Sequence, residues 1–285
     1  MTGGRERRPI RTITVTSGKG GVGKSNVVAS LAVSFARSGR KVMILDADLG
    51  LSNIDIIFDI APKYTIQHIL SGEKRLADVL ADGPYGIKIL PASSGIQELT
   101  ELDEFQRLRL MEEFEAYEDD IDILLIDTGA GISENVAFFC VASQETIVVT
   151  TPEPTAMTDA YALIKVLFTQ YQEKDFKILV NSAKNSEDAF EVFRRLSLAS
   201  EKFLNISLDY LGFLPVDDSI PKAVRQQKTF IDAYPDSMAA GNLRVIASKV
   251  LEDDAEGKIK GSLQFFLGNM LRKDLQPYTG TDSKS

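Results

Sequence analysis

Cysteine is almost absent from this sequence. Among 285 residues there is one Cys, one His and no Trp. A single thiol, Cys140 in "AFFCVAS", forms neither an internal disulfide nor a cysteine-bound metal cluster, so a reducing cytosol is the expected setting. His68, in "TIQHILSG", has no nucleophile or metal ligand beside it in sequence and reads as structural. No apolar run approaches the roughly 18 residues of a membrane-crossing helix. The basic start "MTGGRERRPI" has no apolar stretch behind it, so no secretory signal is expected. Basic residues are the minority, 32 against 41 acidic ones, for a net charge of −9. A broad grip on nucleic acid needs a basic face, and no nucleic-acid partner is expected.

What the chain does have is alternation. Short apolar, β-branched runs at 12–16, 41–46, 86–90, 122–127, 146–150, 177–181 and 208–214 are separated by helical patterns at 24–38, 103–117, 133–142, 156–171, 187–203 and 236–251. Strands that are apolar throughout are covered on both faces. The pattern therefore predicts an α/β fold: a doubly wound, mostly parallel central sheet flanked by helices. The polar stretch "EDDAEGKIKG" (252–261) precedes one last apolar segment. The expected organisation is a flexible segment 1–11, a domain 12–254, a C-terminal amphipathic helix 255–275 and a disordered tail 276–285.

Between the first strand and the first helix lies "TSGKGGVGKSNVV", residues 16–28. Gly18, Gly23, Lys24 and Ser25 match the G-x-x-x-x-G-K-[ST] phosphate loop in its required strand–loop–helix context. Glycines let backbone N–H groups converge on phosphate oxygens, and the helix start adds positive dipole. Lys24 is placed to reach the β and γ phosphates, and the Ser25 hydroxyl to bind Mg²⁺. In "ILLIDTGAGI" (123–132), Asp127 ends an apolar run at a strand's C-terminal edge, where α/β ligands collect, and can hold the Mg²⁺ through water. Gly129 and Gly131 leave that segment free to move. In "LDADLGLSNID" (45–55), Asp46 and Asp48 stand two apart on the crevice edge. Asp48 is the candidate to contact the metal and orient an attacking water, with Asp46 behind the metal or structural.

The loop carries a second lysine, Lys19, directly after its first glycine. With it the sequence resembles the deviant Walker A ATPases, the MinD/ParA group of the SIMIBI class of P-loop NTPases, over roughly residues 10–275. The resemblance implies ATP and Mg²⁺ as cofactors, weak intrinsic ATPase activity, and an ATP-sandwich homodimer in which Lys19 crosses to the partner's phosphates. It carries the nucleotide-binding role to Gly18, Lys19, Gly20, Gly21, Val22, Gly23, Lys24, Ser25 and Asn26. It assigns Glu153, in "TTPEPTAMTDAYALIK", to the loop that meets the partner subunit. Asn181 matches the adenine-binding asparagine, and Pro215 with Val216 the loop flanking the base.

"LGLSNIDI", "TIQHILSGEKRLADVL" and "GPYGIKILPASSGIQELTEL" look most like the flagellar-number branch called FlhG, YlxH or FleN. Many of its members carry an N-terminal helix that activates the GTPase FlhF. The eleven residues before the first strand, with Gly3, Gly4 and Pro9, hold no such helix, so FlhF or switch-ring components are expected as partners only through the folded surface. The alternatives are a septum-site regulator of the MinD type, against which Ser52 and residues 86–102 argue, a ParA-type segregation protein, which usually has D-P-Q where this chain has "DADLG", and a nucleotide-binding scaffold without turnover.

In "KIKGSLQFFLGNMLRKDL" (258–275), Ile259, Leu263, Phe266, Leu267, Met270 and Leu271 fall within an arc of about 140° on a helix, with basic residues at both ends. Such a helix lies on anionic lipid. The family's use of a C-terminal helix of this kind implies peripheral attachment to the inner face of the cell membrane. The competing expectation is a final helix packed on the protein's own core.

Overall fold

The computed structural model describes residues 10–48, 53–92, 104–117 and 120–253. The predicted segment 255–275 and its six apolar residues lie outside the described residues.

Eight strands form one sheet in the spatial order β3-β4-β2-β5-β1-β6-β7-β8. They are β1 (Arg11–Ser17), β2 (Val42–Ala47), β3 (Ala81–Asp82), β4 (Lys88–Leu90), β5 (Ile123–Ala130), β6 (Glu145–Thr150), β7 (Phe176–Ala183) and β8 (Asp209–Pro215). All neighbours pair in parallel except the short β3 against β4. The doubly wound, mostly parallel sheet expected from the sequence is therefore present.

Both faces of the sheet are covered, which is why its strands read as unbroken apolar runs. Alternate residues of β5 serve opposite layers. Ile123 and Leu125 pack with α1 (Lys24–Arg37) and α11 (Met238–Glu252). Leu124 and Ile126 pack with α3 (Ile66–Leu70), α5 (Glu104–Ala116) and α6 (Glu134–Ala142). A third apolar cluster sits under α7 (Pro154–Tyr171) and α8 (Ser186–Leu204), against Val148, Ile178 and Val180. Cys140 is buried in it. Short helices fill the connections: α2 (Ile54–Ile57), α4 (Leu76–Val79), α9 (Ser219–Arg225) and α10 (Phe230–Ala233). His68 is structural as expected, because Nδ1 accepts the Thr65 N–H at 3.2 Å and caps α3.

Two strands run two or more residues further at their carboxyl ends than the sequence pattern indicates. β5 continues to Ala130, three residues past Asp127, because Ala130 pairs with Ser17. β7 runs to Ala183, past Asn181, by pairing with Pro215 across a register shift.

Candidate functional site

β1 lies between β5 and β6, where successive connections diverge to opposite sides of the sheet. That divergence opens a crevice at the carboxyl ends of the strands, and residues 18–23 cross it between β1 and α1. Gly23 is the N-cap of α1 and supplies no side-chain cap, and the first turn holds no acidic residue, so the leading N–H groups have no carboxylate from their own turn. Two glycines are dictated by space. Gly23 has φ 88°, and a Cβ there would meet Asn181 Nδ2 at 2.4 Å. A Cβ on Gly18 would sit 2.2 Å from the Asp159 carbonyl on α7.

Lys24, the first residue of α1, buries its ammonium against Asp127 Oδ1, with side-chain exposures of 7% and 1%. Asp127 Oδ2 is also buried and has no hydrogen-bond partner among the described residues. Asp46 lies directly across from Asp127 in the β2–β5 register. Its Oδ1 accepts the Asp48 N–H at 3.1 Å, which makes Asp46 a positioner of the turn that carries Asp48. Asp48 is half-buried beside Gly129, where an added Cβ would meet its Oδ1 at 3.7 Å. Ser25 and Asn26 are half-buried in the first turn of α1, and Gly20 and Gly21 are exposed. The three predicted metal ligands, Ser25, Asp48 and Asp127, therefore come from three elements that meet at one crevice.

Asn181 is buried and faces the loop rather than open solvent: Nδ2 donates to the Val22 carbonyl at 2.7 Å. Its Oδ1 accepts the Ser182 N–H at 2.9 Å, which draws Ser182 to φ 56°. Such a backbone is costly and persists where surrounding contacts over-determine it. Pro215 ends β8, and the Val216 N–H donates to the Ala183 carbonyl at 2.9 Å, which brings both beside the Asn181 turn. Next in line, burial pushes the Asp217 carboxyl up, but hydrogen bonds from Ser219 and the Ala239 N–H outweigh it and hold the group below its usual range.

Lys19 does not point into the crevice of its own chain. Its Nζ donates to Glu153 Oε2 at 2.7 Å and to Thr155 Oγ1 at 2.9 Å, at the start of α7. Lys19 and Glu153 are both legible in the sequence, but their contact and the part Thr155 takes in it are not. Nor are Thr150 and Thr151, whose buried hydroxyls have no partner among the described residues at the end of β6. Their only signal was position, in the quoted "TTPEPTAM" at a strand's carboxyl end.

The donor set fits a hard divalent cation. An unpartnered buried carboxylate oxygen, a second carboxylate and a hydroxyl are all oxygen ligands of the kind Mg²⁺ takes. A parallel sheet, a glycine loop opening a helix and a buried Lys–Asp pair beneath that loop define a P-loop nucleotide-binding protein.

The AAA domain family matches residues 10–179. Antiactivator FleN of Pseudomonas aeruginosa is 40% identical over 273 residues, covering 96% of this chain and 96% of that protein. The flagellum site-determining protein YlxH of Helicobacter pylori is 31% identical over 264 residues, covering 91% of this chain and 89% of that protein. Among solved structures, the septum site-determining protein MinD of Pyrococcus horikoshii, complexed with Mg-ADP, has a TM-score of 0.69 at 23% identity, covering 88% of this chain and 99% of that one. The chain belongs to the MinD/ParA family of P-loop ATPases, in the flagellar branch that holds FleN and YlxH. No helix among the described residues is long and apolar enough to cross a membrane.

Proposed function

We propose that this chain is an ATP-driven dimerisation switch that controls flagellar number or placement. One observation carries the nucleotide reading: the buried Lys24–Asp127 pair beneath the glycine loop, with Asp127 Oδ2 left without a hydrogen-bond partner among the described residues. A pair so enclosed is held for a charged ligand that redistributes it.

Residues 18–26 receive the phosphates through backbone N–H groups, with Lys24 turning its ammonium from Asp127 to the β and γ oxygens. Ser25, Asp48 and Asp127 would hold Mg²⁺, which when bound would neutralise charge on the phosphates. Asp48 orients the attacking water and accepts its proton while the bond from the γ-phosphorus to the bridging oxygen breaks, giving ADP and phosphate. Asn181 fixes the loop through Val22 and, with Pro215 and Val216, borders the base. Lys19 leaves Glu153 and Thr155 and places its charge on the partner's phosphates, so turnover depends on assembly. Residues 255–275 attach the dimer to anionic lipid, and flagellar partners such as FlhF read the ATP-bound form. A septum-site role shares this chemistry and differs in partners. The likeness to FleN and YlxH over at least 91% of this chain favours the flagellar one.

The test is sedimentation of the purified chain with ATP, with ADP and without nucleotide, alongside Lys24→Ala and Lys19→Ala. The proposal expects an ATP-dependent dimer that Lys24→Ala loses through failed binding. Lys19→Ala keeps ATP but stays monomeric. A Lys19→Ala dimer as tight as the parent rejects the role in trans.

A further inference from the structure

The buried threonines of the central strands are satisfied everywhere except beside the phosphate loop. On β1, Thr14 Oγ1 donates to the Phe139 carbonyl at 3.0 Å and Thr12 Oγ1 accepts the Gln144 N–H at 3.0 Å. Thr16 Oγ1 accepts the Thr128 hydroxyl at 3.1 Å, and on β6 Thr146 Oγ1 donates to the Cys140 carbonyl at 3.2 Å. Thr150, which ends β6 at 1% exposure, and Thr151 after it break the pattern. Their hydroxyls have no partner among the described residues. Valine has nearly the same shape without the hydroxyl, and Val148 and Val149 fill the two positions before them. Burying a hydroxyl with no partner costs free energy, so its presence calls for a role.

The neighbours of Thr150 point to one. Thr16 lies across from Val148, so Thr150 stands level with Gly18, where the phosphate loop begins. Val148 packs in the cluster under α7, and strand alternation turns Thr150 to the same side. Gly18 is pressed against that helix, at the Asp159 carbonyl. On its other flank Thr150 pairs with Val180, next to Asn181, whose amide holds the Val22 carbonyl at the far end of the loop. The chain then runs on to Glu153 and Thr155, the groups that hold Lys19. Thr150 thus lies between the contacts that fix the two ends of the loop, with a donor and an acceptor to offer.

We infer that Thr150 is a positioning residue for the phosphate loop: its hydroxyl takes a backbone group of Gly18–Gly20 as its partner when the loop closes on a nucleotide's phosphates. The inference rests on the nucleotide reading above and adds a group that touches neither phosphate nor metal. Phosphate oxygens draw the loop N–H groups toward them and so turn its peptide units. A hydroxyl beneath the loop that is satisfied only in the turned arrangement penalises the unloaded chain and favours the loaded one.

The test is Thr150→Val and Thr150→Ser, each measured by thermal melting without nucleotide and by calorimetric binding of Mg-ADP and Mg-ATP. Thr150→Val removes the hydroxyl and keeps the packing. It should melt at or above the parent temperature and bind both nucleotides about 3- to 10-fold more weakly, the loss expected for one hydrogen bond. Thr150→Ser keeps the hydroxyl and drops a methyl group, so it should melt lower and still bind within about twofold of the parent. A hydroxyl with a purely structural role moves melting and binding together. Three results overturn the inference: Thr150→Val binds as tightly as the parent, Thr150→Val melts below it, or Thr150→Ser loses as much affinity as Thr150→Val. Where the parent binds nucleotide and Lys24→Ala does not, these outcomes bear on Thr150 alone. A parent that binds neither nucleotide removes the nucleotide reading, and this inference with it.

Discussion

Replacing Lys24 by Met tests the site's electrostatics without any nucleotide. Met keeps most of the volume and removes only the charge. Lys24 and Asp127 are 7% and 1% exposed, so the change strands a carboxylate in a site with little water. Breaking a buried ion pair by removing one partner costs about 3–5 kcal/mol. The lower figure applies here, because the glycine loop above the pair admits some hydration. For a chain of this size, about 3 kcal/mol lowers Tm by roughly 6–12 °C. Asp127→Asn alone should cost less, because an amide is cheaper to bury than a charge. Adding it to Lys24→Met should recover much of the loss, with a coupling of about 2 kcal/mol in the cycle. Urea and thermal unfolding of the four proteins without nucleotide measure this. If Lys24→Met unfolds within about 0.5 kcal/mol of the parent, or the two losses simply add, the two groups are not electrostatically coupled as a buried pair.

Asp48→Ala should retain ATP binding and lower turnover about 10²-fold or more, leaving a persistent dimer; nucleotide-binding and phosphate-release assays separate the two effects. Thr155→Val removes one of the two groups that hold Lys19 and keeps Glu153, so the ATP concentration for half-dimerisation should fall about 2- to 3-fold; an unchanged midpoint in light scattering rejects the competition. At Lys177, burial favours the neutral amine, but Glu145 and Asp253 outweigh it and raise the pKa above its ordinary value. Their contribution is full below the unfolded lysine value and is lost as pH rises through the higher folded one, so the stability difference between parent and Lys177→Met should shrink only at strongly alkaline pH. A chain truncated after Glu256 should lose ATP-dependent pelleting with anionic vesicles, and pelleting equal to that of the parent rejects the membrane role.

Most of the fold was legible because its strands are buried on both faces. "ILLID" and "ILVN" carry no polar residue until the crevice edge, so each reads as a short strand covered on both faces. The phosphate loop was legible because its chemistry needs fixed residues at fixed spacing. The extension of β5 through Thr128–Ala130 was not, since that stretch has weak strand propensity and is held by pairing with β1. Nor were helices as short as Phe230–Ala233 or Ile54–Ile57, which are too brief for periodicity and exist because Phe230, Ile231, Ile54 and Ile57 are buried against the core. Contacts across long sequence separations left no local trace. Asn181 reaches Val22 from 159 positions away, and Glu153 reaches Lys19 from 134. The residues were identifiable, but their pairing was a property of the sheet order.

The central claim is that a second copy of the chain completes the nucleotide pocket. The most direct measurement is ATP turnover per chain across two decades of protein concentration, at saturating Mg-ATP. A shared pocket predicts that turnover per chain rises with concentration and then reaches a plateau, with Lys19→Ala flat at a low value throughout. Turnover per chain that is constant down to concentrations where only monomer is detected would contradict it.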